Sequence, residues 1–257
     1  MPNITIQNEE LYYTIHPGTS AAPPLVLIHG AGGTHLHWPP QLRRNTPHTV
    51  YALDLPGHGR SKGQGRTRIE DYRDVILAWA DAIGLGKFVI AGHSMGGAIA
   101  QELALTHPER LAGLVLVATG ARLRVHPRIL QGLQENPEDT VRVIAEWAYG
   151  ENPEPDMLHL YVQRMLEIPP SITYGDFAAC NLWDRMQDVH RIPHPTLIIA
   201  GEADKLTPLK YLQYLADQIP NARLVIVPRA GHMVMLEAPD IVTAEIDAFL
   251  RSLETPQ

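Results

Sequence analysis

Phe88-Val89-Ile90-Ala91-Gly92-His93-Ser94-Met95-Gly96-Gly97 is the stretch on which the reading of this chain turns. Four apolar residues run straight into Gly-x-Ser-x-Gly, and an amphipathic segment, residues 98–106, follows. A continuous apolar run of this length suits a strand buried on both faces, as in a parallel sheet. The glycine spacing places Ser94 on a sharp turn between strand and helix, with its hydroxyl exposed. Such a turn crowds the residues two places to either side, where Gly92 and Gly96 have no Cβ to clash. The helix beyond aims its positive N-terminal end at the turn, which favours a developing oxyanion. Ser94 is therefore the candidate nucleophile.

Outward from this turn the same apolar pattern recurs at residues 25–28, 50–53, 114–117, 197–200 and 224–227. Two short β-like stretches, 4–7 and 11–15, read as a hairpin at a sheet edge. Helical periods lie between the runs. Ile69, Tyr72, Val75, Trp79 and Ile83 mark one apolar face. Leu209, Leu212, Leu215 and Ile219 mark another, behind Thr207-Pro208, which reads as an N-cap and first helical residue. Ile241, Glu245, Phe249 and Leu253 sit on a last helix opened by Pro239. Strands alternating with helices predict an α/β fold with a mostly parallel central sheet flanked by helices. The alternation breaks once, over residues 122–192, where prolines 127, 137, 153, 155, 169 and 170 divide helical patterns into about four helices. The predicted organisation is a core of residues 1–121 and 193–257 with a helical insertion at 122–192.

Composition narrows the function classes. The chain has 257 residues, 45% hydrophobic and 19% charged, the balance of a globular protein. Its net charge of −7 argues against nucleic acid or an anionic membrane as main partner. The single cysteine, Cys180, excludes an intrachain disulfide, suits a reducing cytosol and reads as a small buried residue. The N-terminus has no basic region ahead of an apolar core, and no apolar run approaches the roughly 18–20 residues of a spanning helix. The expectation is a cytoplasmic monomer or homodimer acting on a small molecule.

A serine needs a base to become a nucleophile. His232, in Ala230-Gly231-His232-Met233, falls between the last strand and the last helix, at the sheet edge that carries Ser94. Asp204 follows the preceding strand, where it fixes the histidine tautomer and stabilises the imidazolium. Glu202 is the rival acid. The loop His29-Gly30-Ala31-Gly32-Gly33 follows another strand at this edge, and the N–H groups of Ala31 and Met95 are the candidate oxyanion hole. Removing one such donor costs about 2.7–4 kcal/mol of transition-state stabilisation. Gly30-x-Gly32 with Asp54 imitates a dinucleotide fingerprint, but His35 stands at the third glycine, so no cofactor is expected. His35-x-His37 has no cysteine or carboxylate at ligand spacing, so neither is a metal.

With these motifs assembled, "HGAGG" at 29–33, "DLPGHGRS" at 54–61, "GHSMGG" at 92–97, "GEADKLTP" at 201–208 and "GHMVMLEAP" at 231–239 resemble the α/β-hydrolase superfamily in order and spacing. The resemblance covers nearly the whole chain and is to the branch of helical-cap esterases and monoacylglycerol-lipase-like enzymes. It implies a triad of Ser94, Asp204 and His232, in that family's chain order, and an oxyanion hole at Ala31 and Met95. Asp54 and His58 fall in the family's tight turn, and His29 and His93 become structural neighbours of the site. Residues 122–192 become a cap that closes the pocket. Trp147, Met165, Phe177 and Trp183 in that cap, with Trp38 and Met233, are the candidate substrate-binding residues, plain cap core being the competing reading of the first four.

The implied reaction is hydrolysis of carboxylic esters with short to medium acyl chains through an acyl-enzyme. Serine at the turn argues against the dehalogenases and epoxide hydrolases that resemble this sequence, which use aspartate there. Met233 stands where hydroxynitrile lyases of the superfamily carry lysine. Carbon–carbon bond hydrolysis of the meta-cleavage-product type stays open, with Arg164 available to an acidic substrate. Perhydrolysis and a slow ligand receptor are further alternatives.

Overall fold

A computed structural model describes residues 2–6, 8–44, 46–151 and 153–254. Among these residues eight strands form one sheet: β1 (Asn3–Ile6), β2 (Glu9–His16), β3 (Leu25–Ile28), β4 (Val50–Leu53), β5 (Phe88–His93), β6 (Leu111–Val117), β7 (Thr196–Gly201) and β8 (Ala222–Val227). Gln7, assigned to the first strand from the sequence, lies outside the described residues. The spatial order is β1-β2-β4-β3-β5-β6-β7-β8. β2 pairs antiparallel with β1 and β4, and every other pairing is parallel. The parallel strands therefore send their carboxyl ends to one edge. β3 lies between β4 and β5, so the chain reverses its direction of progress there. Loops leaving β3 and β5 diverge at such a point and open a crevice between them.

Every residue of β3, β5 and β7 is buried, as their unbroken apolar runs require. Side chains alternate between the faces. Val26 and Ile28 pack with α2 (Ile69–Ala82), α3 (Met95–Thr106) and α8 (Leu209–Gln218). Leu25 and Leu27 pack on the other side with α1 (Pro40–Arg44) and α10 (Pro239–Ser252).

Between β6 and β7 the chain runs through α4 (Pro127–Glu135), α5 (Pro137–Ala148), α6 (Pro155–Leu166) and α7 (Pro170–Leu182). Each begins with proline, whose missing N–H is harmless at the first helical position. Arg122 and Asp184 form an antiparallel bridge, with an ion pair at 3.6 Å, where the chain leaves and rejoins the sheet domain. Short α9 (Val234–Glu237) leads into α10. Among the described residues no helix is long and apolar enough to cross a membrane.

Two local expectations shift. Helix α3 starts directly at Met95 rather than at residue 98, because the turn at Ser94 leaves no loop. On α10 the buried face is Val242, Ile246, Phe249 and Leu250, while Ile241 is 47% exposed. The helix carries a second apolar row, 242, 246 and 250, one residue on from the expected stripe, and that row fills the core. Ile246→Ala should therefore cost about 2–5 kcal/mol in urea unfolding. Ile241→Ala should change stability by less than about 0.5 kcal/mol; equal effects would contradict this helix orientation.

Candidate active site

Ser94 adopts φ 51° and ψ −112°, a backbone conformation that costs a non-glycine residue on the order of 1–3 kcal/mol. Its surroundings enforce it. Ser94 N–H donates to Val117 O at 2.9 Å, and Ser94 O accepts from Thr119 Oγ1 at 2.8 Å and Gly97 N–H at 2.9 Å. A Cβ on Gly92 would lie 2.1 Å from Gly96 O, and one on Gly96 would lie 2.4 Å from Ile28 O. Both contacts are with backbone, so no side-chain rotation relieves them. Met95 opens α3, and the first N–H groups of a helix have no intrahelical acceptor.

His232 and Asp204 meet at the same edge. His232 Nδ1 lies 2.9 Å from Asp204 Oδ2 and 3.1 Å from Thr207 Oγ1. A carboxylate only accepts, so Nδ1 carries the proton and Nε2 of the neutral ring keeps its lone pair. Asp204 also accepts the N–H groups of Leu206 at 2.8 Å and Thr207 at 2.9 Å, and the Thr207 hydroxyl at 2.7 Å. Thr207 is thus no N-cap. Pro208 takes that place, and the hydroxyl serves the aspartate instead. Glu202 is exposed and accepts Arg229 N–H at 3.3 Å, away from His232. Glu237 accepts Gly231 N–H at 2.9 Å and Gly150 N–H at 2.8 Å, tying the histidine loop to the end of α5.

Two further histidines brace the site. His93 Nε2 donates to His232 O at 3.0 Å, and burial and the neighbouring His232 push its pKa well below the usual range. His29 Nδ1 donates to Gly30 O at 2.8 Å while its Nε2 accepts Leu55 N–H at 3.0 Å. Burial, then the charge on His58, hold His29 neutral as well. Gly30 packs over His93 and Ser94: a Cβ there would lie 2.8 Å from His93 Nδ1 and 3.1 Å from Ser94 Cβ. The loop carrying Ala31 is thereby seated directly on the turn carrying Ser94.

Ser94, His232 and Ala31 line one cavity of about 620 Å³, and no Asp or Glu is among the described residues that line it. Its apolar wall includes Leu123, Ile129, Ile144, Trp147, Phe177 and Met233. Trp147, Phe177 and Met233, three of the candidate substrate-binding residues, thus line the cavity. Trp38, Met165 and Trp183 do not. Trp38 is wholly buried beside Arg43, whose Nε donates to its carbonyl at 2.7 Å. Met165 lies beneath the loop after β3, with Cε 2.7 Å from where a Gly32 Cβ would stand. Trp183 is core, and its Nε1 donates to Glu102 Oε2 at 3.1 Å. Arg164 does not line the cavity either. Conversely, His37 and Tyr161 do, as a stacked pair with centroids 5.7 Å apart. Burial and the nearby Arg164 lower the His37 pKa to about 4, so this ring is neutral.

Residues 25–245 match the model of the Alpha/beta hydrolase family, and the chain belongs to that family. Its sheet and flanking helices are the α/β-hydrolase fold that the motifs implied. It is a hydrolase with esterases among its relatives. A pimeloyl-[acyl-carrier protein] methyl ester esterase of Pectobacterium carotovorum is 30% identical over 89% of this chain and 94% of its own. A thermophilic esterase of known structure superimposes with a TM-score of 0.87 at 33% identity, over 98% of this chain and 97% of that one. The dihydrolipoyllysine-residue acetyltransferase component of an acetoin cleaving system from Pseudomonas putida is 32% identical over 91% of this chain, which spans 65% of that longer protein.

Thr207 is the neighbour of Asp204 and His232 that sequence reading missed. Thr207→Val removes one hydrogen bond to a charged group, worth about 1.5 kcal/mol or more. Ester turnover should fall roughly tenfold with little change in the unfolding midpoint. Unchanged kcat would show that the hydroxyl does nothing for the Asp204–His232 pair.

Proposed function

We propose that this chain is a carboxylic ester hydrolase with a Ser94–His232–Asp204 triad. The observation that carries the reading is one juxtaposition. A serine strained onto a glycine-flanked turn shares a cavity with a histidine whose Nδ1 is held by a buried aspartate. In this reading Ser94 Oγ attacks the ester carbonyl carbon while His232 Nε2 takes its proton. The carbonyl oxygen becomes an oxyanion held by the N–H groups of Ala31 and Met95. The tetrahedral intermediate collapses, and the imidazolium gives its proton to the departing alkoxide. A water then attacks the acyl-serine, losing its proton to His232, and the acid leaves with Ser94 restored.

The insertion, residues 122–192, acts as the cap over this chemistry: α4, α5 and α7 supply Ile129, Ile144, Trp147 and Phe177 to the cavity wall. A mostly apolar cavity of about 620 Å³ suits short to medium acyl chains. Arg164 stays outside the cavity, while Arg124 and Lys205 line it, so the carbon–carbon hydrolase reading keeps a cation for an acidic substrate and the mostly apolar wall is what favours the ester.

Ser94→Ala should lower kcat on p-nitrophenyl butyrate by on the order of 10⁶, the loss typical of removing a serine nucleophile. Retention of more than about a tenth of wild-type turnover would sink the assignment. Across p-nitrophenyl esters from acetate to palmitate, activity should peak at short to medium chains; a peak at palmitate would contradict the substrate class.

A further inference from the structure

We propose that Asp176, on helix α7 of the insertion, is a positioning residue for the oxyanion loop, and that His58 holds it there as the cationic half of a buried ion pair. The inference rests on the ester-hydrolase reading, because it gives Asp176 a task in that reaction.

Asp176 is completely buried, and three elements converge on its carboxylate. Gly32 N–H, from the loop after β3, donates to Oδ2 at 2.8 Å. His58 Nε2, from the turn after β4, donates to the same oxygen at 2.8 Å. The Tyr72 hydroxyl, from α2, donates to Oδ1 at 2.5 Å. A buried carboxylate is tolerated only when it is paired and hydrogen-bonded in this way.

What Asp176 holds is the peptide next to the candidate oxyanion donor. Gly32 N–H belongs to the Ala31–Gly32 peptide, so its bond to Asp176 fixes the plane that follows Ala31. Gly32 has φ +61°, and a Cβ there would lie 2.7 Å from Met165 Cε and 3.3 Å from Thr173 Cγ2. Met165 and Thr173 lie on α6 and α7. The shape of the loop is therefore set from the insertion as well as from the sheet. Phe177, next to Asp176, lines the cavity, so one helix touches both substrate space and oxyanion loop. A displacement of about 1 Å in a catalytic donor is enough to cost roughly 10² in rate.

His58 is charged by its partners. Its Nδ1 donates to Pro56 O at 3.0 Å and its Nε2 to Asp176. Carbonyl and carboxylate oxygens only accept, so both ring nitrogens carry protons. The groups facing the ring are Asp176 from α7, Asp54 from the end of β4, His29 from the loop after β3 at 4.9 Å, Tyr72 from α2 at 6.5 Å, and His37. Burial opposes the charge, but Asp176, the hydrogen bonds to it and to Pro56 O, and Asp54 outweigh burial and raise the pKa. Asp54 is itself occupied by His35, whose N–H and Nδ1 lie 2.7 and 2.8 Å from Oδ1. With a folded pKa above the ordinary value near 6.5, the pair contributes fully below that value. Its contribution is lost as pH rises through the folded pKa, so the oxyanion loop loosens on the basic side.

The test uses the full chain, with kcat and KM for p-nitrophenyl butyrate and the rate of Ser94 labelling by an alkyl fluorophosphonate, across about pH 6–9. Asp176→Asn should lower kcat and the labelling rate together by about 10–100-fold, with KM within about threefold, and should abolish the basic limb of the profile. Tyr72→Phe removes one donor and keeps the ion pair. It should retain the basic limb and lower kcat by a few-fold, and it carries the test alone if Asp176→Asn does not fold. Folded variants with wild-type kcat and labelling would overturn the proposal, as would an Asp176→Asn profile with the basic limb intact. Absence of labelling and ester turnover in the wild type would instead overturn the hydrolase reading itself, and the role of Asp176 with it.

Discussion

The site depends on a volume that no side chain occupies. Gly92 and Gly96 face backbone at distances no Cβ survives, and that contact lets β5 turn into α3 with Ser94 at its apex. Because the turn has no slack, the serine, the first N–H of α3 and the loop seated on Ile28 and Gly30 form one rigid unit. The strained serine backbone persists because Val117, Thr119 and Gly97 each hold one of its polar groups. A strand–helix junction with a longer loop would relax the strain and lose the direction of the hydroxyl.

Around that unit the protein buries many polar groups, and histidines make several of the joins. His93 holds the carbonyl of His232, His29 ties the loop after β3 to Leu55, and His58 joins the turn after β4 to α7. A neutral imidazole is both donor and acceptor, so it bridges two backbone segments without bringing a charge into the core. At His58, where both ring nitrogens face oxygen acceptors, Pro56 O and the buried Asp176 carboxylate, the geometry calls for imidazolium. The same economy explains why His93 and His29, although next to Ser94, are poor bases: burial keeps both from accepting a proton.

The parts of the site that were legible in the sequence are local in the chain. Gly-x-Ser-x-Gly after an apolar run states its own geometry, and Asp204 and His232 each follow a strand whose end must reach the same edge. The fold was legible for the same reason, since every buried strand announces itself as an apolar run. What was not legible depends on distant pairs. Asp176 meets Gly32, His58 and Tyr72 across 144, 118 and 104 residues, and nothing in the local pattern of α7 marks it. Trp183 stayed open between pocket and core because a tryptophan in the insertion suits either, and the buried Glu102 that takes its indole N–H lies 81 residues away. Thr207 was misread because a threonine before proline suits an N-cap, while the aspartate three residues earlier competes for its hydroxyl. On α10 two apolar rows run side by side, and only packing against the sheet chooses between them.

The central claim is that chemistry passes through a covalent bond to Ser94, with His232 and Asp204 behind it. Rapid quenching of the wild-type protein during turnover of p-nitrophenyl butyrate, followed by peptide mass spectrometry, tests it directly. The account predicts a butyryl group on the peptide that carries Ser94, formed in step with the first burst of p-nitrophenol and absent from Ser94→Ala. Steady turnover with no acylated peptide under any quench condition, or acyl transfer to another residue at a competent rate, would contradict it.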